Sequence, residues 1–445
     1  MNRREFLSGS ALLAATGLMG SAKAGTAEEA AKAAVEADAK SDKYRAAHQL
    51  IESEPMLQAP AETSMGVVWA VTAMANGWVE VSEKPDLSDA KTFVCGGLGL
   101  TGFHERVLQV RLTDLKPATR YYYRVLAERV DYRSNGLRVR GEKERGEIHS
   151  FMTLGAAAPS HFCVINDTHG SKDALEMVTR KLRALKPLAT LWNGDAMSVG
   201  ETIEDGVRAF LEPPVEDRAY AAENPILFNP GNHEDRGLWT RHLDEVMMKR
   251  LPTERLARDW QLGRNFAVRI GDIALIGLDT ADDRRDDHPF HAGLGNFNAY
   301  RAAQTPWLED ALARPEIRSA PYILASCHIP LLPRQSEKDN PMWWQEECAK
   351  AWSPLFERAG VQAVIVAHMH EYRFNPPTGG RTWAQIEGGG FELGERWFGK
   401  KKIVNPGYFP TVMDIRAEGG KLLVEVWDVW HDRIVGRHEF MSRSI

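Results

Sequence analysis

Two Asp, one Asn and five His stand in five short segments of this chain: Asp167-Thr168-His169, Gly194-Asp195, Gly231-Asn232-His233-Glu234, Cys327-His328 and Ala367-His368-Met369-His370. Pooled, they form a hard-to-borderline nitrogen and oxygen donor set, suited to two divalent cations such as Zn, Mn or Fe. In extended backbone, residues i and i+2 project to one side, so Asp167 and His169 can face one ion, and His368 and His370 one site. Each segment also has an ordinary reading. A lone His is commonly a surface or hydrogen-bonded residue. Asp195 after Gly194 suits a turn, Asn232-His233 a helix N-terminus, and His368 and His370 the end of a strand.

What surrounds the segments argues for the metal. Four directly follow an apolar, strand-like run, at residues 162–165, 189–192, 322–325 and 361–366; the fifth follows 226–228 and then Pro230-Gly231. Strands separated by helical stretches give α/β layering, and such sheets bind ligands at the carboxyl ends of their strands. Loops distant in the chain then meet in one crevice. Residues 273–278 read as a further strand, and a helix is expected to start at Gln304-Thr305-Pro306 and run through Leu312.

The order D-x-H, G-D, G-N-H-E, H and H-x-H resembles the calcineurin-like metallophosphoesterase superfamily, over about residues 160–375. The resemblance implies a two-sheet α/β/β/α sandwich over residues 160–445. It implies two metal ions (Fe, Zn or Mn) bridged by Asp195, with Asp167, His169 and His370 on one and Asn232, His328 and His368 on the other. It gives catalytic parts to Asp195, Asn232 and His233, the last as proton donor or phosphate-binding group. The implied reaction is hydrolysis of a small phosphate ester by attack of a metal-bridging hydroxide. Glu234 either orients a neighbouring His or favours a helix N-terminus. Two departures stand out. Ala367 replaces the usual Gly of the last motif. Ser198 stands where purple acid phosphatases carry an iron-binding Tyr, and their first motif lacks the equivalent of His169.

Ahead of this region, residues 2–7 read Asn-Arg-Arg-Glu-Phe-Leu, a moderately apolar stretch follows, and Ala22-Lys23-Ala24 supplies a cleavage site. Residues 1–24 thus resemble a twin-arginine export signal, which implies the twin-arginine machinery as partner and a periplasmic or secreted protein. Residues 25–56 are Ala/Glu/Lys-rich and helix-favouring, an N-terminal arm. Residues 57–155 change texture to short strand-like runs bounded by turn residues. Leu115-Lys116-Pro117-Ala118-Thr119-Arg120-Tyr121 resembles the corner of fibronectin type III and purple-acid-phosphatase-like N-terminal domains, with Tyr121 as the buried corner tyrosine. A small all-β sandwich is expected there.

The formal charge of −6 implies no strong attraction to nucleic acid or anionic membrane. No stretch is long and apolar enough to span a bilayer. The four cysteines show no framework spacing, so no disulfide is expected. A basic run at 396–402 reads as a solvated loop. His288, His291, Arg334, Trp343 and Trp344 fall in long loops and are candidates for substrate contact. The N-terminal β region favours phosphomonoester hydrolysis, and the His169-containing first motif favours phosphodiesters. A non-catalytic cell-envelope binding protein on the same scaffold is the reading from another class, and it predicts missing ligands.

Overall fold

The structure, a computed structural model, describes residues 49–132, 136–248, 262–332, 343–398 and 400–443. The expected export signal and most of the N-terminal arm lie outside these residues, as does Arg334.

Strands β1 (Met56–Gln58), β2 (Met65–Ala70), β3 (Ala75–Ser82), β4 (Lys91–Val94), β5 (Val107–Leu112), β6 (Arg120–Tyr132), β7 (Arg138–Arg145) and β8 (His149–Met152) come first. Then follow β9 (His161–Ile165), α1 (Lys172–Leu185), β10 (Ala189–Asn193), β11 (Ile226–Asn229), β12 (Phe266–Ile270), β13 (Ile273–Gly277), α2 (Phe297–Ala313), β14 (Tyr322–Ser326), α3 (Trp343–Ala359), β15 (Ala363–Val366), β16 (Arg373–Asn375) and β17 (Ala384–Glu387). A hairpin of β18 (Glu395–Phe398) and β19 (Lys401–Val404) precedes β20 (Thr411–Glu418), β21 (Lys421–Asp428) and β22 (Arg433–Met441). Shorter helical turns are left unlabelled.

One sheet runs β22-β21-β20-β9-β10-β11-β1-β2-β5, and a second runs β12-β13-β14-β15-β17-β16. Period-2 alternation stacks them. On β9, Phe162 and Val164 meet Leu275, Leu324 and Ile365 of the second sheet, while Cys163 and Ile165 face Leu175, Val178 and Leu182 of α1. Those three residues form one helical stripe, and the Ser171 side chain caps α1 by accepting from the Ala174 N–H. The outer face of the second sheet is covered by Trp307, Leu308 and Leu312 of α2 and Trp352 and Phe356 of α3. The layers are therefore α/β/β/α, as expected.

Two expectations change. Helix α2 begins at Phe297, two turns before Gln304, and carries Pro306 inside it. Pro306 and Ala302, whose carbonyl loses its donor, are both exposed, so water can replace the missing bond. The all-β region, in turn, shares a sheet with its neighbour. Its inner layer is β3, β4, β6, β7 and β8, but the facing layer is β1, β2 and β5, which continue the first catalytic sheet beyond β11. Gln58 of β1 pairs in parallel with Ile226 of β11. Met65, Val67 and Trp69 of β2 fill the N-terminal core, while Val68 and Ala70 turn to the core over the catalytic sheet. Tyr121 is buried, and its hydroxyl accepts the Lys116 N–H at 2.9 Å.

Candidate metal centre

Strands β9, β10 and β11 are parallel, as are β13, β14, β15 and β17. The loops leaving the carboxyl ends of β9, β10, β11, β14 and β15 carry the five sequence segments, and the two-sheet stack brings them together. Asp167, His169, Asp195 and His370 offer ligand atoms all within 4.8 Å of one another, and so do Asp195, His328 and His368. Asp195 belongs to both groups. Asn232 joins the second, its Oδ1 lying 2.9 Å from His368 Nδ1. His328 Nε2 lies 3.2 Å from Asp195 Oδ2, His169 Nε2 3.5 Å from the same oxygen, and His370 Nε2 3.3 Å from Asp167 Oδ1.

The segments are not extended, as the i, i+2 argument assumed. Asp167, His169, Asp195, His368 and His370 have φ of 46°, 47°, 52°, 71° and 62°. Such left-handed backbone costs roughly 1–3 kcal/mol at a non-glycine residue and persists only where the surroundings enforce it. Close packing does the enforcing. A Cβ on Gly194 (φ 82°) would stand 2.5 Å from both Gly231 N and His328 Nδ1. Ala367 has no left-handed φ, so nothing there demands the usual glycine.

Glu234 ties the central loops together. Its carboxylate accepts from the N–H groups of Gly231 at 2.7 Å, Asp195 at 2.8 Å and Ala196 at 2.9 Å. It therefore caps the short helical turn Asn232–Asp235 at Gly231, the helix-end role the sequence offered, and also positions the Asp195 backbone. Burial and Asp195 push its carboxyl up to about 7, against those donors.

The histidines are fixed from behind. His328 Nδ1 donates to the Asn193 carbonyl at 2.7 Å, and His370 Nδ1 to the Glu392 carboxylate at 2.7 Å. His169 Nδ1 lies 3.3 Å from Ser198 Oγ. A ring nitrogen held this way leaves Nε2 for an ion. Burial opposes charge on His328 and His370, but the facing carboxylates outweigh it and raise them to about 10 and about 9. Burial lowers His169 to about 3 and His368 to about 4. Asp167 Oδ1, His169 Nε2 and His328 Nε2 are buried with no hydrogen-bond partner. Unpartnered donors converging on shared carboxylate oxygens fit a pair of cations.

His233 sits at the mouth. Its N–H donates to Asp195 Oδ1 at 3.0 Å, its Nδ1 lies 2.6 Å from the Ser198 carbonyl, and Arg236 Nη1 lies 2.6 Å from its Nε2. A carbonyl only accepts and a guanidinium only donates. The ring is thus neutral, with its proton on Nδ1 and its lone pair toward Arg236. Burial, then Arg236 against Asp195, keeps its pKa below the usual value. Arg236 is held in turn by Asp283 at 2.9 Å.

Sequence reading missed Glu392, Arg236 and Phe391. Arg236 lies two residues beyond the Gly-Asn-His-Glu segment and is legible there; Glu392 has no local signal. Of the loop candidates, His291 lies buried 3.5 Å from Asp282, away from the cavity lining. His288 turns back to accept the Phe290 N–H. The basic run falls on the β18–β19 hairpin, where Arg396 pairs with Glu392 and Lys402 with Glu395.

Comparison with known proteins adds to this geometry. Residues 160–372 match the sequence model of the family described as calcineurin-like phosphoesterase. The structure is similar to purple acid phosphatase PPD1 from yellow lupin (Lupinus luteus) seeds, with TM-score 0.58 and 14% identity over 88% of this chain and 75% of that one. GAP50, the anchor in the inner membrane complex of Plasmodium, aligns with TM-score 0.45 and 10% identity over 64% of this chain and 89% of that one. No curated protein matches the sequence. At these identities the lupin enzyme speaks for the fold alone, and the Plasmodium protein carries no argument.

Proposed function

From the premise that residues 160–372 form a calcineurin-like phosphoesterase domain, that of a metal-dependent phosphoester hydrolase, we propose that this chain is an exported phosphomonoesterase with a dinuclear centre. The observation that carries the metal assignment is the sharing of Asp195 between two donor groups. Asp167, His169 and His370 hold one ion, and Asn232, His328 and His368 the other. Two bound cations (Fe, Zn or Mn) supply an acidified water and neutralise charge on the phosphoryl oxygens.

The chain's own groups do the rest. Glu234 locks the loop that presents Asp195. Asn193 and Glu392 hold His328 and His370 in the tautomer that leaves Nε2 free. Arg236 is the permanent cation at the mouth, and with His233 and Asn232 it binds phosphoryl oxygens. Phosphoryl binding and proton donation by His233 both need a proton on Nε2, which Arg236 disfavours until the phosphoryl charge arrives to offset it.

The N-terminal β region supports the monoester. His169 in the first donor group supports a phosphodiesterase as the second reading. Purified protein assayed on a generic phosphomonoester and a phosphodiester, with metal content measured, decides between them. About two metal equivalents and monoester preference are expected. No metal after reconstitution would overturn the assignment. His233→Ala should lose hydrolysis and keep its metal. Ser198 leaves no Tyr ligand, so the iron-loaded protein should lack a tyrosinate absorption band.

Export rests on Arg3, Arg4 and the Ala22-Lys23-Ala24 site. N-terminal sequencing of the exported protein should begin near Gly25; retention in the cytoplasm would sink it.

A further inference from the structure

The donor groups open into a cavity of ≈ 990 Å³, many times larger than a phosphoryl group. That size is typical of sites that enclose a whole organic ligand. Its two walls differ in kind. One is charged: Arg236 and Arg284 both pair with Asp283, at 2.9 Å and 3.1 Å. The other carries the aromatic and apolar side chains of Phe391, Trp397, Ile403 and Tyr408, interspersed with Glu392, Glu395 and Arg396.

The aromatic wall is continuous with the centre. The Phe391 ring lies 5.0 Å from that of His169 and 5.6 Å from that of His370. The next residue, Glu392, holds His370 and pairs with Arg396 at 3.3 Å. Arg396 is the second residue of β18, and the next residue is Trp397. That indole is 62% exposed although it lines the cavity. A single exposed apolar side chain is ordinary. This one is held on a paired strand next to Arg396, which pairs with the carboxylate behind a proposed metal ligand, and it lines the same cavity as Phe391 and Tyr408. Lys402 lies over its ring at 5.9 Å, which steadies the indole.

We propose that the ester cleaved here carries a flat aromatic group, an aryl ring or a nucleobase, and that Trp397 is its stacking platform. The proposal rests on the phosphoester reading. The phosphoryl group sits between the donor groups and Arg236, and the organic part extends over Phe391 to the indole. An aromatic ring prefers such a wall to a saturated ring of equal size, because offset π faces attract beyond the area they bury.

Two phosphonates test this without turnover, since neither has an ester bond: benzylphosphonate, which is flat, and cyclohexylmethylphosphonate, which is puckered and of equal charge. Binding to the full-length, metal-loaded protein is measured by calorimetry. The flat ligand should bind about tenfold tighter, the size of one stacking contact. Trp397→Ala should bring the two within about twofold by weakening the flat one, and Trp397→Phe should restore most of the gap. Equal binding in the parent protein, or an unchanged gap in Trp397→Ala, overturns the aromatic assignment and leaves the phosphoester reading standing. Failure of both ligands to bind overturns both.

Discussion

The loops of the shared nine-stranded sheet end in two different ways. Beyond β9 and β10 the chain passes through left-handed Asp167, His169 and Asp195, and buried polar atoms there have no partner. In the corner after β5 the chain is also left-handed, at Asp114 and Ala118, with φ of 57° and 48°. There the polar groups are satisfied. Lys116 N–H reaches the Tyr121 hydroxyl, Thr119 N–H reaches Thr153 Oγ1 at 2.9 Å, and Ala118 N–H reaches the Leu154 carbonyl at 2.9 Å. Strain alone therefore does not mark a site. Strain combined with converging, unpaired donors does, because folding left their valences for something outside the chain.

Removing that outside partner should have the largest effect. Chelation should abolish hydrolysis and lower Tm by about 4–5 °C, from roughly 4 kcal/mol of lost binding linkage at saturating metal. Reloading should release protons at pH 7.5, because metal-free His328 and His370 hold theirs up to about 10 and about 9. The sign follows. Their raised pKa stabilises the metal-free fold fully below about 6.5, and that part is lost as pH rises through 9 to 10. Metal affinity should instead climb with pH over the same range. Uptake without proton release, measured in a weakly buffered dye solution, would contradict this.

Asp195→Asn comes next. It removes the charge shared by both groups, so activity should fall at least about a thousandfold, the upper end for one transition-state contact. Bound metal should drop from about two equivalents to one or fewer. Unchanged metal content would sink the bridging role. Glu392→Ala is milder and one-sided. Freeing His370 Nδ1 should weaken one metal about 10–100-fold and leave the other alone. Two equal losses in a zinc titration would mean the halves are not distinct.

The two regions were also unequally legible. The five ligand segments could be read because each is local and each apolar run before it signals a strand; 162–165 became β9 and 322–325 became β14. Glu392 could not, since 22 residues separate it from His370 and only the fold closes that gap. The extended i, i+2 argument groups Asp167 with His169, and the two do lie together, but the backbone that brings them there is left-handed. The sharing of β1, β2 and β5 was missed although a cue was present. Val67-Val68-Trp69-Ala70 is a continuous apolar run, as a strand buried on both faces requires. As one wall of a separate sandwich the run would need only one covered face, and the structure covers both. Pro306 misled because proline is common at a helix start and rare inside one.

The smallest effect sharpens the comparison most. Tyr121→Phe deletes one hydroxyl and leaves the Lys116 N–H, which is only part-buried, without its acceptor. The ring stays packed against Phe151 at 5.8 Å, so no cavity opens. The expected cost is about 1 kcal/mol, one ordinary hydrogen bond, which at this chain length lowers Tm by roughly 1 °C. Metal content and kcat/KM should not move, because the corner's valences close on themselves and none point to the centre. If metal content or kcat/KM falls with Tm, the shared sheet transmits the corner's state to β9–β11, and the two regions are one mechanical unit.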